Sequence, residues 1–455
     1  MGGRDASRLM QPSTRPHRVV RGGREGGIGR FGRALHRRGL ALVVGLSLLL
    51  ALACSQQTDT RATAASPASS PSTAAEGQSS TRATETLKPT STGQEPVRAL
   101  RTPTEPPPTV DTSIAGVPVE DVLFDTFRGG FVRLSEASEE TIEALRDRIK
   151  PIYEPKYDSA GDGDWLSQGD GVLGYVSSGG NAFAYPVKIL NFHEIVNDVI
   201  DGVPLLVSYC PLCASGVVYH RELDGQVLLF GNTSALYQSD LVMYDHETGS
   251  YWHQVIGEAI VGPLTGSRLK PLPSMTTTWG QWKELYPDTK VLSRNLGLLQ
   301  SSGNPYSRDP FLGIADQINK GRFAFPVSKE KLDDRLGPGD LVLAVQVGES
   351  HKAYLLSGAQ DHVANDEVGG ERLAVLVRSE GPSGFAYLST VEGRPLTFGL
   401  EGGALRDFET GSLWDDSGRS VSGEMEGAQL TLVPSRTSFW FSIVGALPGL
   451  EVYSP

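Results

Sequence analysis

The stretch VPLLVSYCPLCASGVVY, residues 203–219, decides how this chain is read. The run Val203–Tyr209 is apolar and rich in strand formers, Cys-Pro-Leu-Cys breaks it, and Gly216–His220 begins a second run with two adjacent valines. Two such runs about a tight turn predict a β-hairpin carrying Cys210 and Cys213 at its tip. The framework of this stretch returns in residues 362–388 without its thiols. Asn197, Asp198, Gly216 and Tyr219 recur as Asn365, Asp366, Gly384 and Tyr387, and Arg378 and Gly381 stand where the cysteines would be.

The repetition extends outward on both sides. Asp-His-Glu-Thr-Gly-Ser-Tyr-Trp at 245–252 returns as Asp-Phe-Glu-Thr-Gly-Ser-Leu-Trp at 407–414, and Ala184-Tyr185 to His193 returns as Ala353-Tyr354 to His362. Two copies are too few for a solenoid, so the expectation is a pair of related β-rich lobes produced by internal duplication. The fold class is mainly β, a β-rich α+β arrangement. Turn signals support it: Asp224-Gly225 between short apolar runs predicts a hairpin turn. Few helices are expected, one over Ser138–Ile149 and one over Trp279–Tyr286 with Thr278 as its N-cap.

Residues 1–53 hold ten arginines against Asp5 and Glu25, then an apolar run from Gly39 to Ala53 that ends in Leu-Ala-Leu-Ala-Cys. The run has the length of a signal-peptide core, and its end is similar to a bacterial lipobox with Cys54 as the lipidated residue. Residues 54–112 are Ser, Thr, Ala, Pro, Gln and Glu with few large apolar side chains. Such a composition cannot bury enough surface to offset its ordering entropy, so a disordered tether is expected. The organisation is therefore a leader (1–53), a tether (54–112), a first lobe with the cysteine turn (113–300) and a degenerate second lobe (301–455). The expected location is the outer side of the cell membrane, held there by the lipid anchor. The chain carries a formal charge of −12 although its leader is basic, which argues against nucleic acid as a partner.

Residues kept only by the first half mark where special chemistry can sit: Cys210, Cys213, His220, Met243, His246 and His253. A thioredoxin-type pair places its first cysteine at a helix N-terminus, whereas this one leads into a strand. Two thiols on a hairpin turn instead fit the knuckle of a metal site, completed by imidazole, carboxylate or thioether. Met243 favours copper(I), and imidazoles suit zinc or copper, so one transition-metal ion is expected, copper before zinc. His193, Met243 and His253 are the candidate further ligands. Asp198, Asp240 and His246 are the remaining site candidates, Asp240 as a general base. A reversible Cys210–Cys213 disulfide, and so a thiol-disulfide oxidoreductase, is the alternative in an oxidising compartment. A non-catalytic scaffold is the third. The sequence assigns no reaction, and no small-molecule or protein partner.

Asn191 to Asp198 (NFHEIVND), Tyr209 to Cys213 (YCPLC), Ser239 to Asp245 (SDLVMYD), Glu247 to Trp252 (ETGSYW) and Thr278-Trp279-Gly280, in this order, resemble the domain of unknown function 3179 family. The resemblance covers about residues 115–455. It implies an exported or lipid-anchored protein of bacteria or archaea and brings no established activity. It also implies Arg at the position of His246 and often Ser at that of His253, which moves the weight toward Cys210, Cys213, His193 and Met243.

Overall fold

The computed structural model of the protein describes residues 102–298 and 304–454. The leader, Cys54 and most of the tether lie outside the described residues. Among the described residues strand accounts for 41% and helix for 12%, which makes the fold β-rich. None of the described helices is long and apolar enough to cross a membrane.

The region 171–292 begins with the antiparallel pair Gly171–Val176 and Ala182–Pro186. The strand Met275–Thr278 adds antiparallel to the first, and Lys290–Leu292 adds parallel to the second. The region 341–452 repeats this. Leu341–Val347 pairs with Ser350–Leu355, Ser435–Phe439 adds antiparallel to the first, and Glu451–Val452 adds parallel to the second. Between these brackets each region runs through a three-stranded meander and then a second small sheet. The recurring side chains make recurring bonds. The Asn197 amide donates to the Phe230 carbonyl and accepts from the Phe230 N–H, both at 2.8 Å, and Asn365 does the same to Phe398 at 2.8 Å. The Trp252 indole donates to Asp245 at 2.9 Å, and Trp414 donates to Asp407 at 2.9 Å. These polar ties pin strand ends that apolar packing alone leaves free to slide.

One sheet crosses from one region to the other. Its order is 451–452, 350–355, 341–347, 435–439, 215–220, 203–210, 195–200, with Thr437 bridging Gly216 where the two regions meet. A single apolar cluster likewise takes Trp279 and Trp282 from the first region and Tyr387, Trp414 and Leu430 from the second. Residues 113–300 and 301–455 are therefore joined by pairing and by core.

The expected turns and caps are present. Asp224 and Gly225 both take positive φ, 50° and 81°, between Glu222–Leu223 and Gln226–Val227, the backbone of a type I′ hairpin. Thr278 caps Trp279–Leu285 with a full capping box to Gln281. The first helix is shorter than its sequence pattern, spanning Glu139–Leu145, because Asp147 leaves the helical region at φ 49° to pair with Asn232. Its N–H donates to the Asn232 carbonyl at 2.8 Å, and its carboxylate accepts from the Asn232 N–H at 2.9 Å.

The helix Val187–His193 has no counterpart between Ser350–Leu355 and His362–Val368. It ends on Glu194, a left-handed C-cap at φ 58°. Only the first region therefore has a helix end to place a carboxyl beside the cysteine hairpin.

Candidate functional site

Val203–Cys210 and Ser215–His220 form the expected hairpin, with Cys210 opposite Ser215. The Cys-Pro-Leu-Cys link closes through the Cys213 N–H, which donates to the Cys210 carbonyl at 3.2 Å, and Ala214 takes φ 49° to re-enter the sheet. The second region holds this turn from behind: the Phe439 N–H donates to the Cys213 carbonyl at 2.7 Å.

A second hairpin brings a carboxylate to the thiols. Phe230–Tyr237 and Asp240–Asp245 are joined by Gln238 and Ser239, both at positive φ, 53° and 64°. This turn geometry favours Asn and Gly, so Gln-Ser holds it at a cost of order 1–3 kcal/mol per residue. The Gln238 amide is fixed in return by accepting from the Ser328 N–H at 2.7 Å and donating to its hydroxyl at 3.0 Å. Asp240, first residue after the turn, lies with one oxygen within 4.8 Å of both cysteine sulfurs, themselves within that distance of each other.

All three groups are buried, Cys210 1% exposed, Cys213 0% and Asp240 1%. Burial pushes both thiols above the ordinary cysteine range, Cys213 well above it. Both cysteines are free thiols, and the Cys213 Sγ donates to the Ser239 carbonyl at 3.3 Å. One Asp240 oxygen, Oδ2, accepts from the Val255 N–H at 3.0 Å and faces His253 Nε2 at 3.1 Å. The other, Oδ1, is buried with no hydrogen-bond partner among the described residues. An unpartnered buried carboxylate oxygen costs several times an ordinary hydrogen bond, so it marks a place built for something else.

Cys210 also lines a cavity of about 270 Å³ whose walls include Leu212, Leu236, Leu241, Phe311 and Phe325. Glu194 is part of its polar wall, with Asp125, Asn232 and Ser234. Burial pushes the Glu194 carboxyl up to about 8, partly offset by the Asn232 amide, which donates to Oε2 at 2.7 Å, and reinforced by the nearby Asp240 charge. Asn232 reaches Glu194 from a bulge, the register slipping between Asn232 and Ala235 with Ser234 at φ 59°.

The remaining candidates are placed elsewhere or one step away. His193 is not with the cysteines: Nδ1 lies 2.6 Å from the Lys150 carbonyl and Nε2 2.8 Å from the Tyr306 hydroxyl, so both ring nitrogens are used, and burial lowers its pKa. His253 stands behind Asp240. His246 sits 3.0 Å and 3.2 Å from the hydroxyls of Tyr153 and Tyr244. Asp198 accepts from Tyr185 at 2.7 Å and from Tyr157, an arrangement Asp366 repeats with Tyr354 at 2.8 Å. Met243 is buried in the same apolar cluster as both cysteines, between cross-strand neighbours Asn232 and Trp252. Arg378, in the place of Cys210, is paired with Asp361 at 3.2 Å and Asp416 at 2.5 Å.

Glu194 is the site residue that sequence reasoning passed over. The signal was available: His193 has a counterpart in His362, but the next position in the second half is Val363.

No curated protein and no solved structure matches the chain. The family described as "Protein of unknown function (DUF3179)" matches residues 146–448, a span that takes in the cysteine hairpin, Asp240, Glu194 and the second region alike. The chain is a member of the DUF3179 family.

Proposed function

We propose that the protein is an exported lipoprotein, anchored through Cys54, whose first β-rich unit holds one transition-metal ion through Cys210, Cys213 and Asp240. The second region is read as a duplicate that lost the donors and kept the scaffold. The observation that carries the metal reading is the clustering of two sulfurs and a carboxylate oxygen within 4.8 Å, with Asp240 Oδ1 buried and unpartnered. Two thiolates and one carboxylate suit zinc, and the hard oxygen makes copper(I) the second choice despite the nearness of Met243. Three protein donors leave a tetrahedral ion one open position, the pattern of reactive rather than purely structural sites. His253, close to the Asp240 oxygen that is not free, would orient that carboxylate.

Loading must release the two thiol protons that burial retains, so metal and protons compete for the same sulfurs. The same burial disfavours a nucleophilic thiolate, which makes the thiol-disulfide oxidoreductase the weaker reading. The test is elemental analysis of protein purified without chelator and offered zinc or copper. About one equivalent is expected for the wild type and for His193→Ala, and less than about a tenth for Cys210→Ser with Cys213→Ser. Less than about a tenth of an equivalent in the wild type would overturn the reading.

A further inference from the structure

The cavity beside Cys210 has features that a metal site alone does not need. Its walls are mostly apolar, yet one is formed by Glu194, a carboxyl only 8% exposed. Glu194 Oε2 is taken by Asn232, while Oε1 has no hydrogen bond among the described residues. Three of the lining residues, Phe127, Glu194 and Ser234, hold positive φ of 54°, 58° and 59°. Strained non-glycine backbone gathered round one cavity is characteristic of binding sites, because packing elsewhere must hold each such residue in place. At the entrance the Arg148 guanidinium lies 4.9 Å from the centre of the Phe127 ring, steadying an aromatic that is 39% exposed.

We infer that this cavity binds a small, largely apolar alcohol or phenol, its hydroxyl turned to Glu194 and its apolar body against Leu236, Leu241 and Phe325. The size sets the body. A dry cavity of about 150 Å³ accepts benzene, so a volume of about 270 Å³ has room for two fused rings or an alkyl chain of similar bulk. The carboxyl sets the head group. A hydroxyl both donates and accepts, so it serves Glu194 whether or not that side chain carries its proton. A carboxylate head would bring its charge beside Asp125 into a mostly apolar cavity with no Lys, Arg or His among its lining residues and is excluded by the cost of burying an unpaired charge. Because Cys210 shares the wall, the ligand reaches the thiol side of the cluster. Binding itself needs no metal, so this inference goes beyond the proposed metal function and stands apart from it.

The probe is 2-naphthol, titrated by calorimetry into the full chain, with naphthalene and 2-naphthoate as comparisons and metal content read on the same samples. The expected result is one saturable 2-naphthol site, naphthalene weaker by about tenfold for want of the hydroxyl, and no binding of 2-naphthoate. Ala324→Trp, a substitution at an exposed position on the cavity rim, should weaken 2-naphthol by at least about tenfold while the protein stays folded. Glu194→Leu should bring 2-naphthol and naphthalene to equal affinity. Absence of saturable 2-naphthol binding, binding untouched by Ala324→Trp, or equal affinity for the two neutral probes in the wild type would each overturn the inference. None of these results bears on whether zinc is retained.

Discussion

Replacing Glu194 with glutamine should change how the stability of the protein depends on pH more than it changes the stability at any one pH. Glutamine keeps the acceptor that Asn232 uses and the volume that fills the space, and it removes one titration. The wild-type carboxyl is held at about 8 by burial, against an ordinary value of 4.5. A carboxyl whose pKa is raised in the folded state contributes stability that is fully present below about pH 4.5 and is lost as pH rises through about 8. At 1.36 kcal/mol per unit, the wild type should lose about 3 kcal/mol relative to Glu194→Gln between pH 4.5 and neutrality. At the usual few degrees per kcal/mol for a domain of this size, the two melting temperatures should separate by roughly 5–10 °C over that range. Thermal unfolding of both proteins with chelator present, from about pH 4.5 to 9, reads this directly. Two curves that run parallel, offset by a constant amount, would refute the argument, because a constant offset is what lost packing or a lost hydrogen bond produces.

Other outcomes follow from the same geometry. His253→Ala should weaken zinc retention by about 10–100-fold in chelator competition without abolishing it, since the imidazole acts through Asp240, whereas Asp240→Asn should lower it further; equal retention in both variants and the wild type would remove Asp240 from the site. Zinc affinity should fall steeply as pH drops from about 8 to 6, approaching a hundredfold per unit where both thiols hold their protons, and a flat profile would mean the sulfurs are not the ligands. Gly231→Ala would set a Cβ 2.2 Å from the buried Tyr244 ring, so a destabilisation of about 1–3 kcal/mol or more is expected in urea unfolding; an unchanged midpoint would show that the ring can step aside.

Local chemistry made part of the fold legible. The Asp224-Gly225 hairpin and the Thr278 cap depend on residues within a few positions of each other, and both form as the sequence predicts. The Ser138–Ile149 helix obeys its local pattern only as far as Leu145, where a tertiary pair between Asp147 and Asn232 outbids the last turn. The site divides the same way. Comparing the halves separates Cys210, Cys213 and Asp240 from the framework, because Arg378, Gly381 and Gly402 occupy the corresponding places. Which histidine stands near them was not legible, since it depends on strand register and on Tyr306, a residue far along the chain that takes the His193 ring. Glu194 is placed by a left-handed helix end and a bulge at Asn232–Ala235, and neither has a short sequence signature.

The hydrogen bond from the Phe439 N–H to the Cys213 carbonyl, with the Thr437–Gly216 bridge beside it, has a consequence for heredity. A segment that lacks the reactive side chains of its counterpart would ordinarily be free to vary. Here a premature stop codon before residue 435 would strip the neighbour from strand Ser215–His220, bare a sheet edge to other chains and release the loop that carries both thiols. Selection acting on the first half would therefore reach through the backbone into the second, which braces the thiol turn without carrying thiols of its own.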